Sequence, residues 1–407
     1  MNAKSARPVH IVGGGLAGSE AALQLAHLGY EVLLYEMRPS ISTPAHRTQS
    51  LAELVCSNSF GSFTAHSAPG LLKWEAEEMG CFLLDWAWKS YVPAGMALGI
   101  DRKLFSQRVD LAVRSHSNIT VIEKEIGSID EVPRPAIIAT GPLTSPALSE
   151  SLMTHIGSDF LYFFDAIAPI IDAESIDMTT AFIADRFDKG SGDYINCPLS
   201  KEQYEELIDD INSAEKVEPK DFEKDTPYFE GCMPIEEMAS RGQQTLRHGP
   251  LSGKGLTDPK TDRWPYAAVQ LRKENKEGTS YNLVGFQTKM KYGEQKRIFS
   301  KIPGLKNVEF LKLGSIHRNL FINSPRSLAE NLSSKKDPEL FFAGQITGVE
   351  GYFESVATGL LAARFLDEKE QNKIPMILPR ESALGSLLHQ ITKNDKENFQ
   401  PTNINFG

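Results

Sequence analysis

Two cysteines stand where a thiol could act as a nucleophile. Cys56 closes the apolar turn Leu51-Ala52-Glu53-Leu54-Val55-Cys56 and runs into Ser57-Asn58-Ser59, with Thr43-Pro44-Ala45-His46 just upstream. Cys232 lies in Phe229-Glu230-Gly231-Cys232-Met233-Pro234, ahead of Ile235-Glu236-Glu237-Met238-Ala239-Ser240-Arg241-Gly242. Pro234 suits a first helical position, Glu236 and Glu237 suit a first turn, and Arg241 with Gly242 suits a stop. Cys232 is therefore expected just before a helix N-terminus, where the dipole favours a thiolate over the free thiol of pKa about 8.5. A packing cysteine is the competing reading for any single thiol, and it is the one adopted for Cys81 and Cys197. The four cysteines are widely spaced, with no CxxC and no His/Cys cluster of metal spacing. That argues against a disulfide framework, a zinc site and a thioredoxin-type pair, and for a reducing, cytoplasmic setting with no bound metal.

A nucleophile needs elements to hold it against a substrate, and the N-terminal residues supply the clearest of these. An apolar run, Val9-His10-Ile11-Val12, leads into Gly13-Gly14-Gly15-Leu16-Ala17-Gly18 and then into an alanine-rich helix expected over residues 16–28. Gly13 permits the tight turn, Gly15 lets backbone approach a pyrophosphate, and Gly18 lets helix and strand pack closely. The pyrophosphate would rest on the positive end of the helix. A second strand, Tyr30-Glu31-Val32-Leu33-Leu34-Tyr35-Glu36, ends in an acid placed to bind a ribose hydroxyl. Strand, glycines, helix, strand and terminal acid together predict dinucleotide binding in an α/β, Rossmann-like fold. Two later stretches point to FAD in a glutathione-reductase-like arrangement. Ala136-Ile137-Ile138-Ala139-Thr140-Gly141 reads as a returning strand with a Thr-Gly turn. Leu340-Phe341-Phe342-Ala343-Gly344-Gln345 reads as a late strand entering a glycine-rich turn, followed by a helix from Tyr352. Gly344, Gln345 and Tyr352 are expected toward the isoalloxazine; Tyr352 reads either as a ring that stacks on folate or as a core tyrosine.

The cofactor fold is expected to be interrupted. Residues 1–190 form its first part, 191–325 an α+β insertion domain beginning near Lys189-Gly190-Ser191-Gly192-Asp193, and 326–407 its second part. No apolar run of the 407 residues approaches the length of a membrane span. Net charge is −10, yet residues 241–320 hold 16 Lys/Arg against 6 Asp/Glu. Trp264, Tyr266, Tyr281, Phe286, Tyr292 and Phe299 interleave with Lys289, Lys291, Arg297 and other cations there. Cations can track phosphates and rings can stack on unpaired bases, so an RNA face is one reading and a solvated basic surface over core aromatics is the other. The acidic stretch before it, Glu202 to Asp225, reads as two solvated helical faces and a linker.

Taken together, these stretches resemble the flavin- and folate-dependent tRNA uracil-5-methyltransferases (TrmFO) along nearly the whole chain, and more distantly the GidA flavoproteins. The carrying residues are Gly13–Gly18 with Tyr35-Glu36-Met37-Arg38-Pro39, Leu51–Ser59, and Thr140-Gly141-Pro142-Leu143. Asp193–Pro198, Phe229–Gly242, Tyr281–Thr288, His317–Pro325 and Phe342–Tyr352 extend the match. The resemblance implies that reduced FAD passes a one-carbon unit from 5,10-methylenetetrahydrofolate to C5 of a uridine in the tRNA T-loop, with electrons from NADPH or NADH. It implies Cys232 as the nucleophile that adds to uracil C6, and Cys56 as a second thiol near the flavin. Leu320 departs from the family's threonine, and family members continue with a helical tail beyond the position of Gly407. The same motifs would serve ribosomal RNA as target. A GidA-like wobble-uridine modifier or a plain NADPH flavin oxidoreductase are the competing classes.

Overall fold

The computed structural model describes residues 7–43, 45–157, 160–188, 192–218, 226–228, 231, 233–393, 397 and 399–405. Its first sheet has five strands, all parallel, in the order Leu340–Phe342, Ala136–Ile138, Val9–Val12, Val32–Glu36, Ile119–Glu123. Helices cover a parallel sheet, so its strands read as continuous apolar runs; Val9, Ile11, Ile137 and Phe341 are fully buried. Helix Leu16–His27 follows the first strand, and helix Tyr352–Glu370 follows the last. These two helices touch backbone to backbone: a Cβ on Gly359 would lie 2.3 Å from the Ala17 carbonyl oxygen. The strand at 340–342 therefore returns residues from the far end of the chain to the edge of the first motif.

A second sheet of six antiparallel strands runs Phe182–Ile183, Tyr194–Leu199, Ala267–Lys273, Ser280–Leu283, Ile170–Asp172, Phe310–Lys312. Its own apolar cluster includes Ile171, Leu207, Leu271, Phe286 and Phe299. Strands 170–172 and 182–183 thus belong to the second sheet, ahead of the start expected near residues 189–193, of which 189–191 lie outside the described residues. The reason is long-range pairing, since Ile171 faces Tyr281 and Phe310 in register. A two-stranded ribbon, Leu161–Ile167 with Ser315–Phe321, connects the two bodies on both passes of the chain. Among its described residues the acidic stretch holds one helix, Lys201–Ser213, started by a Ser200/Gln203 capping box. That helix buries Tyr204, Leu207, Ile208 and Ile211 against the second core. Residues 219–225 lie outside the described residues.

Candidate active site

The glycine turn has the geometry its spacing predicts. Gly13 has φ +103°, and a Cβ there would lie 2.5 Å from the Ala139 carbonyl oxygen. A Cβ on Gly18 would lie 1.9 Å from the Gly13 carbonyl oxygen, whereas one on Gly15 meets nothing within 4 Å. Only the middle glycine faces open space, as backbone that must admit a phosphate should. That space is a long cavity lined by Gly13, Gly14, Gly15, Leu16 and Ala17 at one end, by Glu36, and by Thr140 and Gly141. Gly344, Gln345 and Tyr352 border it as well, so every expected cofactor-binding residue but the packing glycine Gly18 lines one cleft. The cradle fits a dinucleotide.

Glu36 ends its strand with both carboxylate oxygens engaged. Oε2 accepts from the Gly14 N–H at 2.9 Å and from Arg38 Nη2 at 3.2 Å. Oε1 accepts from the Arg38 backbone N–H at 3.0 Å and from its Nε at 2.9 Å. Burial pushes this carboxyl up, but the Arg38 guanidinium and the N–H donors more than offset it and hold it below the usual carboxylate range. Arg38 is 2% exposed and is the largest fully buried side chain. Nothing in the local sequence assigns Arg38 this task. His46, beside them, is held down to about 4 by burial and by Arg38, so it is neutral near pH 7.

A second cavity adjoins the first, and the two share Val55, Pro142, Leu143, Gln345 and Tyr352 in their walls. Cys56 lines the second cavity with Asp165, His317, Glu350 and Glu354. The Cys56 backbone N–H donates to the Tyr352 hydroxyl at 2.6 Å, across 296 positions of chain. Burial pushes the Tyr352 phenol well up, and the nearby Cys56 thiol adds to the effect, so the hydroxyl keeps its proton. Tyr352 is accordingly neither a plain core residue nor free: it heads its helix and holds the thiol loop. Glu350 accepts from Gln345 Nε2, and burial together with Asp165 pushes its carboxyl well up. Burial also raises Glu354 and lowers His317, the latter with help from Lys312. Burial in this cavity thus disfavours the charged forms of Glu350, Glu354 and His317. No spacing pattern marks Asp165, Glu350 or His317 as neighbours.

Cys232 lies outside the described residues. Its helix runs Ile235–Ser240 with Pro234 as the cap, one position earlier than a first helical residue. Glu236 stands in the first turn as expected; it is 2% exposed and accepts from the Met290 N–H at 3.0 Å and from the Thr288 hydroxyl. Cys81 and Cys197 are buried, and burial pushes the Cys197 thiol up to about 12, as structural cysteines require.

The three cations expected to face RNA all have carboxylate partners. Lys289, 12% exposed, pairs with Glu237 at 2.6 Å and donates to the Tyr228 hydroxyl at 2.8 Å. Lys291 pairs with Glu215 at 2.8 Å, and Arg297 with Asp210 at 2.9 Å and Glu294 at 2.7 Å. Of the interleaved aromatics, Tyr281, Phe286 and Phe299 are core, while Trp264 and Tyr292 are exposed.

Comparison with known proteins agrees with this geometry. The family model described as glucose inhibited division protein A matches residues 8–374. A methylenetetrahydrofolate--tRNA-(uracil-5-)-methyltransferase TrmFO from Bdellovibrio bacteriovorus is 61% identical over 400 residues, covering 98% of this chain and 91% of its own. The chain belongs to the TrmFO family. A TrmFO from Aquifex aeolicus is 52% identical over 401 residues, with 98% of this chain and 89% of its own covered. Among solved structures, Aquifex aeolicus GidA superposes with a TM-score of 0.70 at 16% identity, over 95% of this chain and 67% of that one. At that identity the likeness speaks for the fold. It is the Rossmann-like FAD-binding fold interrupted by an α+β insertion domain, which TrmFO shares with GidA.

Proposed function

We propose that this protein is a methyltransferase that places a methyl group on C5 of a uridine in the T-loop of tRNA, with 5,10-methylenetetrahydrofolate as carbon donor. The names of its 52–61% identical relatives support the reaction. The observation that carries it is the shared wall of the two cavities, where a thiol loop and Tyr352 stand between a dinucleotide cradle and a second chamber. FAD bound along the glycine turn would carry the one-carbon unit and, reduced by NADPH or NADH, supply the hydride that completes the methyl group. Gly15 would open the backbone to its phosphates, and Glu36 would hold its ribose, where a hydroxyl would add to or displace an Arg38 contact.

C5 of uracil is a poor nucleophile until a thiolate adds to C6 and leaves enolate charge at C5. Cys232 takes that role. After the C–C bond forms at C5, the C5 proton must leave before the thiolate is expelled. Cys56 and the neutral imidazole of His317 line the chamber as candidate acceptors for it. Lys291 and Arg297 remain the candidate phosphate contacts on an exposed rim; Lys289, largely enclosed, serves the packing of helix Ile235–Ser240. The setting is cytoplasmic, where tRNA and folate occur together; among the described residues no helix is long and apolar enough to cross a membrane.

A tRNA minihelix carrying 5-fluorouracil tests the nucleophile. The fluorine cannot leave as a proton does, so the parent protein should hold this RNA in a denaturation-resistant complex. Cys232→Ala should keep flavin and RNA binding, lose methyl transfer and lose the trapped complex. Covalent trapping by Cys232→Ala would overturn the assignment and move it to Cys56.

A further inference from the structure

Three successive carbonyls of the loop that carries Cys56 are each held by a cation. Leu54 O accepts from Arg102 Nη1 at 3.1 Å, Val55 O from Lys312 Nζ at 3.2 Å, and Cys56 O from Arg102 Nη2 at 3.0 Å. With the Cys56 N–H given to Tyr352, the loop has little backbone freedom left. The cations come from different bodies. Arg102 begins helix Arg102–Ser115 of the cofactor domain, and Lys312 ends strand Phe310–Lys312 of the second sheet. Arg102 Nε is itself paired, at 2.6 Å, with Glu274, which is 5% exposed and sits in the turn after strand Ala267–Lys273.

That turn is latched to the cofactor domain at further points. Asn58 Nδ2, two residues past the thiol, donates to Lys273 O at 2.8 Å. The Lys276 N–H donates to Asp101 Oδ2 at 3.2 Å, and Lys276 Nζ to Lys89 O at 3.1 Å. A largely enclosed guanidinium is costly unless it is paired, and here its partners are carbonyls of the thiol loop on one side and an insertion-domain carboxylate on the other. A backbone pinned at three consecutive carbonyls fixes where the Cβ–Sγ bond of Cys56 starts, and misplacing a reacting group by about 1 Å can cost on the order of a hundredfold in rate.

We infer that Lys312, Arg102 and Glu274 are positioning residues for Cys56, and that through them the seating of the insertion domain sets the placement of the thiol in the chamber it shares with the cofactor cleft. The catalytic part of this inference rests on the reading of Cys56 as an active-site thiol under the proposed function.

The test uses the flavin-loaded full chain with Lys312→Met, Lys312→Arg and Glu274→Gln. Lys312→Met keeps an unbranched apolar stem and removes only the ammonium end, so it should fold, which the melting temperature and flavin content check. Alkylation of Cys56 by iodoacetamide at one pH, followed by mass spectrometry of the Cys56 peptide, reads the thiol's placement without any turnover. Lys312→Met and Glu274→Gln should each change that rate at least threefold and lower kcat about tenfold, with KM for tRNA within twofold. Lys312→Arg, which can still reach Val55 O, should restore both toward the parent. Alkylation within a factor of 1.5 of the parent in both Lys312→Met and Glu274→Gln, at roughly that precision, overturns the latch. A fully active Cys56→Ala overturns the catalytic reading instead, and alkylation alone then decides the latch.

Discussion

At the scale of single residues, the glycine turn separates folding from cofactor binding. Gly15→Ala adds a methyl to open space at an ordinary extended φ of −73°, so the fold should keep its stability within about 0.5 kcal/mol. The methyl occupies the approach a pyrophosphate needs, so the purified variant should lose flavin absorbance. Gly18→Ala drives its methyl to 1.9 Å from a backbone oxygen that cannot step aside. It should cost about 3 kcal/mol or more in urea unfolding, with flavin loss following from the fold rather than from the site. Equal flavin content in parent and Gly15→Ala would remove the cofactor from this turn.

At the scale of elements, a buried lysine ties helix Ala68–Glu78 under the second cavity. Lys73 is 4% exposed, donates to Ser62 O at 3.0 Å and Pro69 O at 3.1 Å, and lies over the Phe353 ring. Burial lowers its pKa to about 8, with Glu354 opposing. A base whose folded pKa is depressed costs stability while it is charged in both states, below about pH 8. Between about pH 8 and its unfolded value near 10.4 the unfolded chain binds the extra proton, so stability rises with pH. The parent should therefore gain on the order of 1–3 kcal/mol on Lys73→Met between pH 8 and pH 10, measured by urea unfolding of both proteins in matched buffers. A flat difference across that window would show the ammonium is as well solvated in the fold as outside it.

At the scale of the whole molecule, acidic and basic stretches that look independent along the chain meet in space. Asp210, Glu206 and Glu215, from the acidic stretch, pair with Arg297, Lys301 and Lys291 of the basic one. A phosphate that takes Lys291 or Arg297 must displace a carboxylate, which then gathers cations of its own. Two unopposed phosphate contacts would contribute about 1.8 to the slope of log affinity against log salt. Lys291→Gln with Arg297→Gln should reduce the slope for tRNA by less than about 1, with flavin content unchanged. A reduction near 2 would show that RNA meets these cations free of their partners, and no reduction would place the docking face elsewhere.

What the sequence settled by itself is local. The glycine turn, its strand and its helix lie within 28 consecutive residues from Val9 to Glu36, and backbone sterics there leave one way to fold them. The later strands at 136–138 and 340–342 were legible as buried apolar runs, because a parallel sheet covered on both faces leaves no polar alternation. Membership of the second sheet was not legible before residue 191, because Ile170–Asp172 finds its partners more than a hundred residues away. Charge was the least legible property. A count along the chain cannot tell that Lys291 faces Glu215, that Glu236 and Arg38 are buried, or that Arg102 pairs with Glu274. Nor could it bring Tyr352 to Cys56, or Lys312 and Glu274 to the same loop. Those placements belong to tertiary structure, because a buried charge or thiol is defined by what surrounds it, and here its surroundings come from distant parts of the chain.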